Sequence, residues 1–177
     1  DGTIKTLVPD MRGVGYLSAP QETRRNLALQ ADFRASSEKA PRTAVVDIET
    51  QPNDPLPEKA SVKKYTRTHT YQAAHVGDES NGTRWMATVT DSSPYITVDL
   101  KEMRNVGECQ FYFTKPIEGH TWRLEKSVDG KHWQVCAEEK KLQARSPHVA
   151  KGIGEARYLR LHILRGDAGL WEWKIYE

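Results

Sequence analysis

Tyr95-Ile96-Thr97-Val98-Asp99-Leu100 decides the fold class. Tyr95, Thr97 and Asp99 face one way and Ile96, Val98 and Leu100 the other, the two-residue period of a strand buried on one face. The same alternation recurs on either side. In ECQFYF, Cys109, Phe111 and Phe113 share a face, and in WRLEKS, Trp122 and Leu124 oppose Arg123 and Glu125. Asp129-Gly130 is a turn signal that leads into KHWQVCAE, with Trp133 and Val135 on one face. In RYLRLHIL, Leu159, Leu161 and Ile163 oppose Arg160 and His162. In WEWKIY, Trp171, Trp173 and Ile175 alternate with Glu172, Lys174 and Tyr176. Nearer the start, NLALQADFRASS (26–37) reads as a further strand. No segment carries a helical stripe beyond a turn or two. Many short strands with turn signals between them predict an all-β protein, a jelly roll or sandwich.

The chain has 177 residues, enough for one such domain with a short appendage. Residues 1–25 read as a linker or edge segment, punctuated by Gly2, Pro9, Gly13, Gly15 and Pro20. Their lack of a basic start and an apolar stretch excludes a signal peptide within them, so a leader has been removed or the chain is cut from a longer protein; we read a cut. Residues 26–177 form the domain. A polar insertion at about 38–70, with Pro41, Pro52, Pro55 and Pro57, is too long for an ordinary loop. The 26 basic and 24 acidic residues are interspersed, apart from Lys63-Lys64 with Arg67 and Lys140-Lys141, which argues against a nucleic-acid partner. Mean hydropathy is −0.72, and no apolar run approaches the roughly 18 residues of a membrane span. Cys109 and Cys136 fit two buried thiols, or a bridge if their strands are neighbours. No GxSxG, HExxH, P-loop or flanked GxGxxG motif is present, and no pair of carboxylates stands in a catalytic motif, so the chain reads as a non-enzyme.

Seven short motifs in order carry a resemblance. They are Asn26-Leu27-Ala28-Leu29 with Ala35-Ser36-Ser37, Asp78-x4-Thr83-Arg84-Trp85, Tyr95 to Leu100, Ser127-Val128-Asp129-Gly130-Lys131-His132-Trp133, Ala156 to Arg160, and Leu170 to Tyr176. Residues 26–177 resemble the discoidin, or coagulation factor 5/8 type C, superfamily, which includes carbohydrate-binding module family 32. The resemblance implies a galactose-binding-like jelly-roll β-sandwich with ligand loops at one end. It also implies core positions for Trp85, Trp133 and Trp173. The opening DGTIKTLVPDMRGVG is similar to the stretch after the catalytic domain of some bacterial glycoside hydrolases of family 43. That would make the chain an accessory module of a secreted, periplasmic or cell-surface enzyme, with a glycan and the linked catalytic domain as partners, and itself a monomer.

The resemblance also implies a structural calcium ion at the Asp78 loop, held by Asp78, Ser80 through its carbonyl, Thr83 and Glu172. Glu79 departs from the glycine common there, and a cation-free turn is the alternative. The galactose set of relatives is missing. Met86 stands where they carry a histidine, and Lys115, Glu118 and His120 stand where they carry an arginine and an asparagine. We therefore expect a different sugar at loops 86–93, 114–121 and 165–169. His69, Lys115, His120, Arg165 and Asp167 would surround an exposed ring at Tyr71, and the cations Lys115 and Arg165 would suit a uronate. Trp122 and Trp171 remain open as core or platform, and Tyr112 reads as exposed. Two other roles stand beside this one. The first is a structural accessory domain that packs against the catalytic domain without binding sugar. The second is phospholipid or protein binding through apolar loop tips, against which the loops read as polar.

Overall fold

The computed structural model describes residues 23–50 and 61–177, and for 46–50 and 61–65 the backbone alone. The insertion lysines Lys63-Lys64 and most of the opening segment therefore lie outside the described side chains. Among the described residues nine strands run in order: β1 Asp32–Ala35, β2 Arg42–Thr50, β3 Ser61–His69, β4 Trp85–Met86, β5 Tyr95–Phe113, β6 His120–Ser127, β7 Gln134–Gln143, β8 His148–Arg165 and β9 Gly169–Tyr176. Helix among the described residues amounts to three short 3-10 turns.

Two long strands make the sandwich. β5 and β8 pair antiparallel, and their register slips between Asp99 and Arg104 and again between Val106 and Glu108. Each slip bends both strands, as β-bulges do. The first half of β5 then pairs with β1 and with the end of β8, which pairs onward to β6, itself paired to β7. The second half of β5 pairs with β9 and with the start of β8, and β9 also pairs with β4. The two layers bury Ile96, Val98, Leu159 and Leu161 against Cys109, Phe111, Trp173 and Ile175. Phe111 joins them, edge-on to Trp122 at 5.0 Å and to Trp173 at 5.4 Å. Such pairs add about 0.5–1.5 kcal/mol beyond the area they bury.

Several expectations change. Residues 26–37 do not form one strand. Asn26 caps a 3-10 turn at Leu27–Gln30, its Oδ1 accepting from the N–H of Ala28 and, across the fold, from that of Ile175. Within this stretch only Asp32–Ala35 pairs as a strand. β9 does not alternate strictly either: the register shift at Tyr112–Phe113 lets Leu170, Glu172, Trp173, Ile175 and Tyr176 all be buried. Trp133 is half-buried because β7 begins one residue after it, at Gln134. Cys109 and Cys136 are free thiols, and burial pushes them up to about 12 and about 11. Within the insertion, β2 and β3 form an antiparallel hairpin from Arg42↔His69 to Thr50↔Ser61, in a sheet separate from the sandwich.

Candidate functional site

Three loops meet at one end of the sandwich. Residues 86–94 follow β4, residues 114–119 join β5 to β6, and residues 164–168 join β8 to β9. They enclose a groove of about 610 Å³, whose polar lining includes Lys39, Asp91, Lys115 and Asp167. Local chemistry holds each loop. Asp91 accepts from the hydroxyls of Ser36 and Ser37, which keeps its carboxyl below the usual range. Asp167 accepts from the Thr114 hydroxyl at 2.8 Å. Gly166 lies at φ +99°, where a Cβ would come within 2.5 Å of the His120 ring. Only glycine lets the chain cross that ring so closely.

Lys115 and Asp167 meet in this groove, their charged atoms 3.6 Å apart, and Lys115 also pairs with Glu118 at 3.3 Å. Arg165 adjoins the groove through Gly166 and is exposed. The other expected residues do not join them. Tyr71 is 5 % exposed, so its ring is no platform; Lys39 and Arg84 cover it at 5.5 and 5.3 Å. His120 is 0 % exposed, stacks on Phe113 at 3.9 Å and meets the Asp167 carbonyl with Nε2 at 3.1 Å, so it braces the loop from inside. His69 ends β3 opposite Arg42 and does not line the groove. Trp122 is core, and its indole N–H donates to Nδ1 of the buried His148 at 3.0 Å. Trp171 is half-buried with the Arg84 guanidinium 4.7 Å over it. Among the described residues no aromatic ring lines the groove.

Sequence reasoning missed Lys39 and Asp91. Asp91 lies in a polar turn that gave a local signal. Lys39 is brought in by its N–H bond to the Met86 carbonyl, a long-range contact with no local signature. The loops are also less polar than they read. Val89 is 94 % and Ile117 88 % exposed, and Leu164 stands exposed beside them.

The Asp78 loop packs against β9. The Asp78 carboxylate accepts from the Thr83 hydroxyl at 2.7 Å and from the Ser80 N–H at 2.9 Å, and the Thr83 hydroxyl also approaches the Ser80 carbonyl at 3.3 Å. Glu172 is 5 % exposed, and neither of its carboxylate oxygens has a hydrogen-bond partner among the described residues. Burial first, then the Asp78 charge, raises its carboxyl to about 7. A buried unpaired carboxylate is costly, and an orphaned one beside a second carboxylate suits a cation. Among the described residues no three His, Cys, Asp or Glu side chains cluster as a metal site. A cation here would draw on two carboxylates, a hydroxyl and a carbonyl, all hard oxygen donors.

The F5/8 type C domain model matches residues 58–175. The chain belongs to the F5/8 type C domain family. Among solved structures, the domain is similar to one described as a glycoside hydrolase, at 32 % identity and TM-score 0.71, over 90 % of this chain and 33 % of that one. It thus spans about a third of that hydrolase's length. It also shares its fold with the family 32 carbohydrate-binding module from Clostridium perfringens NanJ, solved with galactose (13 % identity, TM-score 0.62, 87 % of this chain and 98 % of that one). A third similar structure is chitosan-binding module 2 from a chitosanase/glucanase of Paenibacillus sp. IK-5, solved with chitotriose (16 % identity, TM-score 0.61, 86 % and 100 %). No curated protein matches this chain in sequence.

Proposed function

We propose that this domain is a non-catalytic carbohydrate-binding module that keeps a linked glycoside hydrolase, outside the cytoplasm, on its polysaccharide. The loop-end groove carries the reading. Asp91 and Asp167 are fixed by hydroxyl donors and keep lone pairs for sugar hydroxyls. Lys39 adds a donor, and Met86, Val89 and Ile163 offer an apolar wall. Kinship to a glycoside hydrolase at 32 % identity supports the linkage. Tethering raises the effective concentration of substrate at the enzyme, so even a weak site serves. Asp78, the Ser80 carbonyl, Thr83 and Glu172 would hold a calcium ion that ties the loop to β9. The ion would supply fixed charge and no chemistry.

A second reading has its own observation. Val89, Ile117 and Leu164 expose apolar surface at the loop tips, which favours packing against a neighbouring domain without sugar. A glycan array followed by titration separates the two. Sugar binding that Asp91→Ala weakens at least tenfold supports the module. Absence of binding to any glycan, with the domain folded, leaves the packing role.

A further inference from the structure

A second polar surface lies away from the loops, on the outer face of the layer formed by β1, the first half of β5, the end of β8 and β6. The strand register sets its rows. Arg34, Thr97, Arg160 and Glu125 lie side by side, and Asp32, Asp99 and Tyr158 form the next row. The inward neighbours Ile96, Val98, Leu159 and Leu161 are core, so these side chains must point outward. A groove of about 630 Å³ runs over them. One wall is the turn after β6. Asp129 accepts from the N–H groups of Lys131 and His132 at 2.8 and 2.9 Å, and Gly130 at φ +72° lays the turn on the Tyr158 ring. The turn thereby brings Lys131 and Trp133 to the groove.

Arg160 is the centre of this face. Its guanidinium lies 3.8 Å over the Trp133 ring and 5.1 Å over Tyr95. Stacking holds the planar fork in place and sheds some of its water. Its own polar contacts are long: Nε to the Thr97 hydroxyl at 3.4 Å and a terminal nitrogen to Glu125 at 4.0 Å. Glu125 is engaged more closely by His162 at 3.0 Å and Arg123 at 3.3 Å. The carboxylates in the groove are likewise taken. Arg157 grips Asp99 through two bonds of 3.0 and 3.1 Å, Lys101 pairs with Asp32, and Asp129 is spent on its turn. The Arg34 and Lys131 side chains are exposed and have no partner among the described residues. Two ladder steps separate Arg34 from Arg160, about 10 Å.

We propose that this face binds an anionic polysaccharide, with the carboxylates or sulfates of successive sugars on Arg160, Arg34 and Lys131. The site is independent of the loop-end groove. Arg160 takes an acid group through its fork, a geometry lysine lacks. Arg34 and Lys131 take the flanking charges.

Calorimetric titration of the chain tests this with three oligosaccharides of equal length: polygalacturonate, a sulfated galactan and neutral galactan. One or both acidic oligomers bind at least tenfold more tightly than the neutral one, and added salt weakens them. Whether the carboxylated or the sulfated oligomer binds identifies the anion. The double variant Arg34→Ser/Lys131→Ser removes two exposed, unpartnered side chains and weakens acidic binding at least tenfold with unchanged melting. Arg160→Lys, which keeps the charge and loses the fork, also weakens it. The proposal is overturned if neither acidic oligomer binds, if the neutral oligomer binds equally well, or if binding survives the double variant. Acidic binding lost in Arg165→Ala instead would place the acid sugar at the loop end and also overturn it.

Discussion

The loop end and the sheet face use the same residue types in opposite ways. At the loop end, Lys115 lies between Glu118 and Asp167, and its charge is met before any ligand arrives. On the sheet face, Arg160 rests on two rings, and the nearby carboxylates hold other cations. A count of lysines and arginines would rank the two surfaces alike. What separates them is which charge already has a partner, and that depends on long-range pairing. The loop end also rests on a polar interior, with His120 and His148 buried beneath it, whereas the face rests on aliphatic strands.

That difference in foundation gives the largest expected effect. Nδ1 of His148 accepts the Trp122 N–H, so protonating it removes the bond and charges the interior. Burial accordingly pulls His148 down to about 4. The unfolded chain takes up this proton near pH 6.5 and the folded chain only near 4. Stability is therefore full above pH 6.5 and falls as pH drops from 6.5 to 4, by at most about 3 kcal/mol. Urea midpoints at pH 7.5 and 4.5 measure the loss. His148→Gln, which keeps an acceptor for Trp122, should flatten it, and a slope unchanged in that variant would show that the acid sensitivity lies elsewhere.

Calcium sharpens the comparison from the other side of the loop end. At about a hundredfold excess over Kd, an ion bound only to the folded state adds about 2.7 kcal/mol. Chelator should lower the melting temperature and calcium restore it. Above pH 7, where the carboxyl is ionised, Glu172→Gln should melt above the wild type in chelator, because it removes a buried unpaired charge, and should ignore calcium. A variant that still responds would take Glu172 out of the site. Binding at the sheet face should be the same in both states.

The smallest effect is at Lys115. An exposed pair of this kind contributes little, because water screens it, so Lys115→Ala should barely shift the urea midpoint. It should also leave acidic-oligosaccharide binding near the wild-type value. A tenfold loss there would mean that the loop-end cation is available after all, and the contrast between the two surfaces would fail.

By itself the sequence determined the all-β class and most of the core. The alternation in Tyr95–Leu100 and Tyr158–Ile163 places each side chain inside or outside, because a strand turns its residues over at every step. The ordered motifs were enough to indicate the family, and it is that resemblance, not local periodicity, that puts Asp78, Ser80, Thr83 and Glu172 forward as cation ligands. Tertiary structure decided the rest. Tyr71 and His120 sit in polar stretches that read as surface, yet Lys39 and Arg84 cover the first and the 165–169 loop folds over the second. The bulges in β5 and β8 turned one hydrogen-bonded network into two layers. Strand register then set Arg34 two strands from Arg160, and the Asp129-Gly130 turn swung Trp133 toward it. None of these contacts is local. Each depends on segments tens of residues apart meeting in space, and local periodicity carries no record of which segments meet.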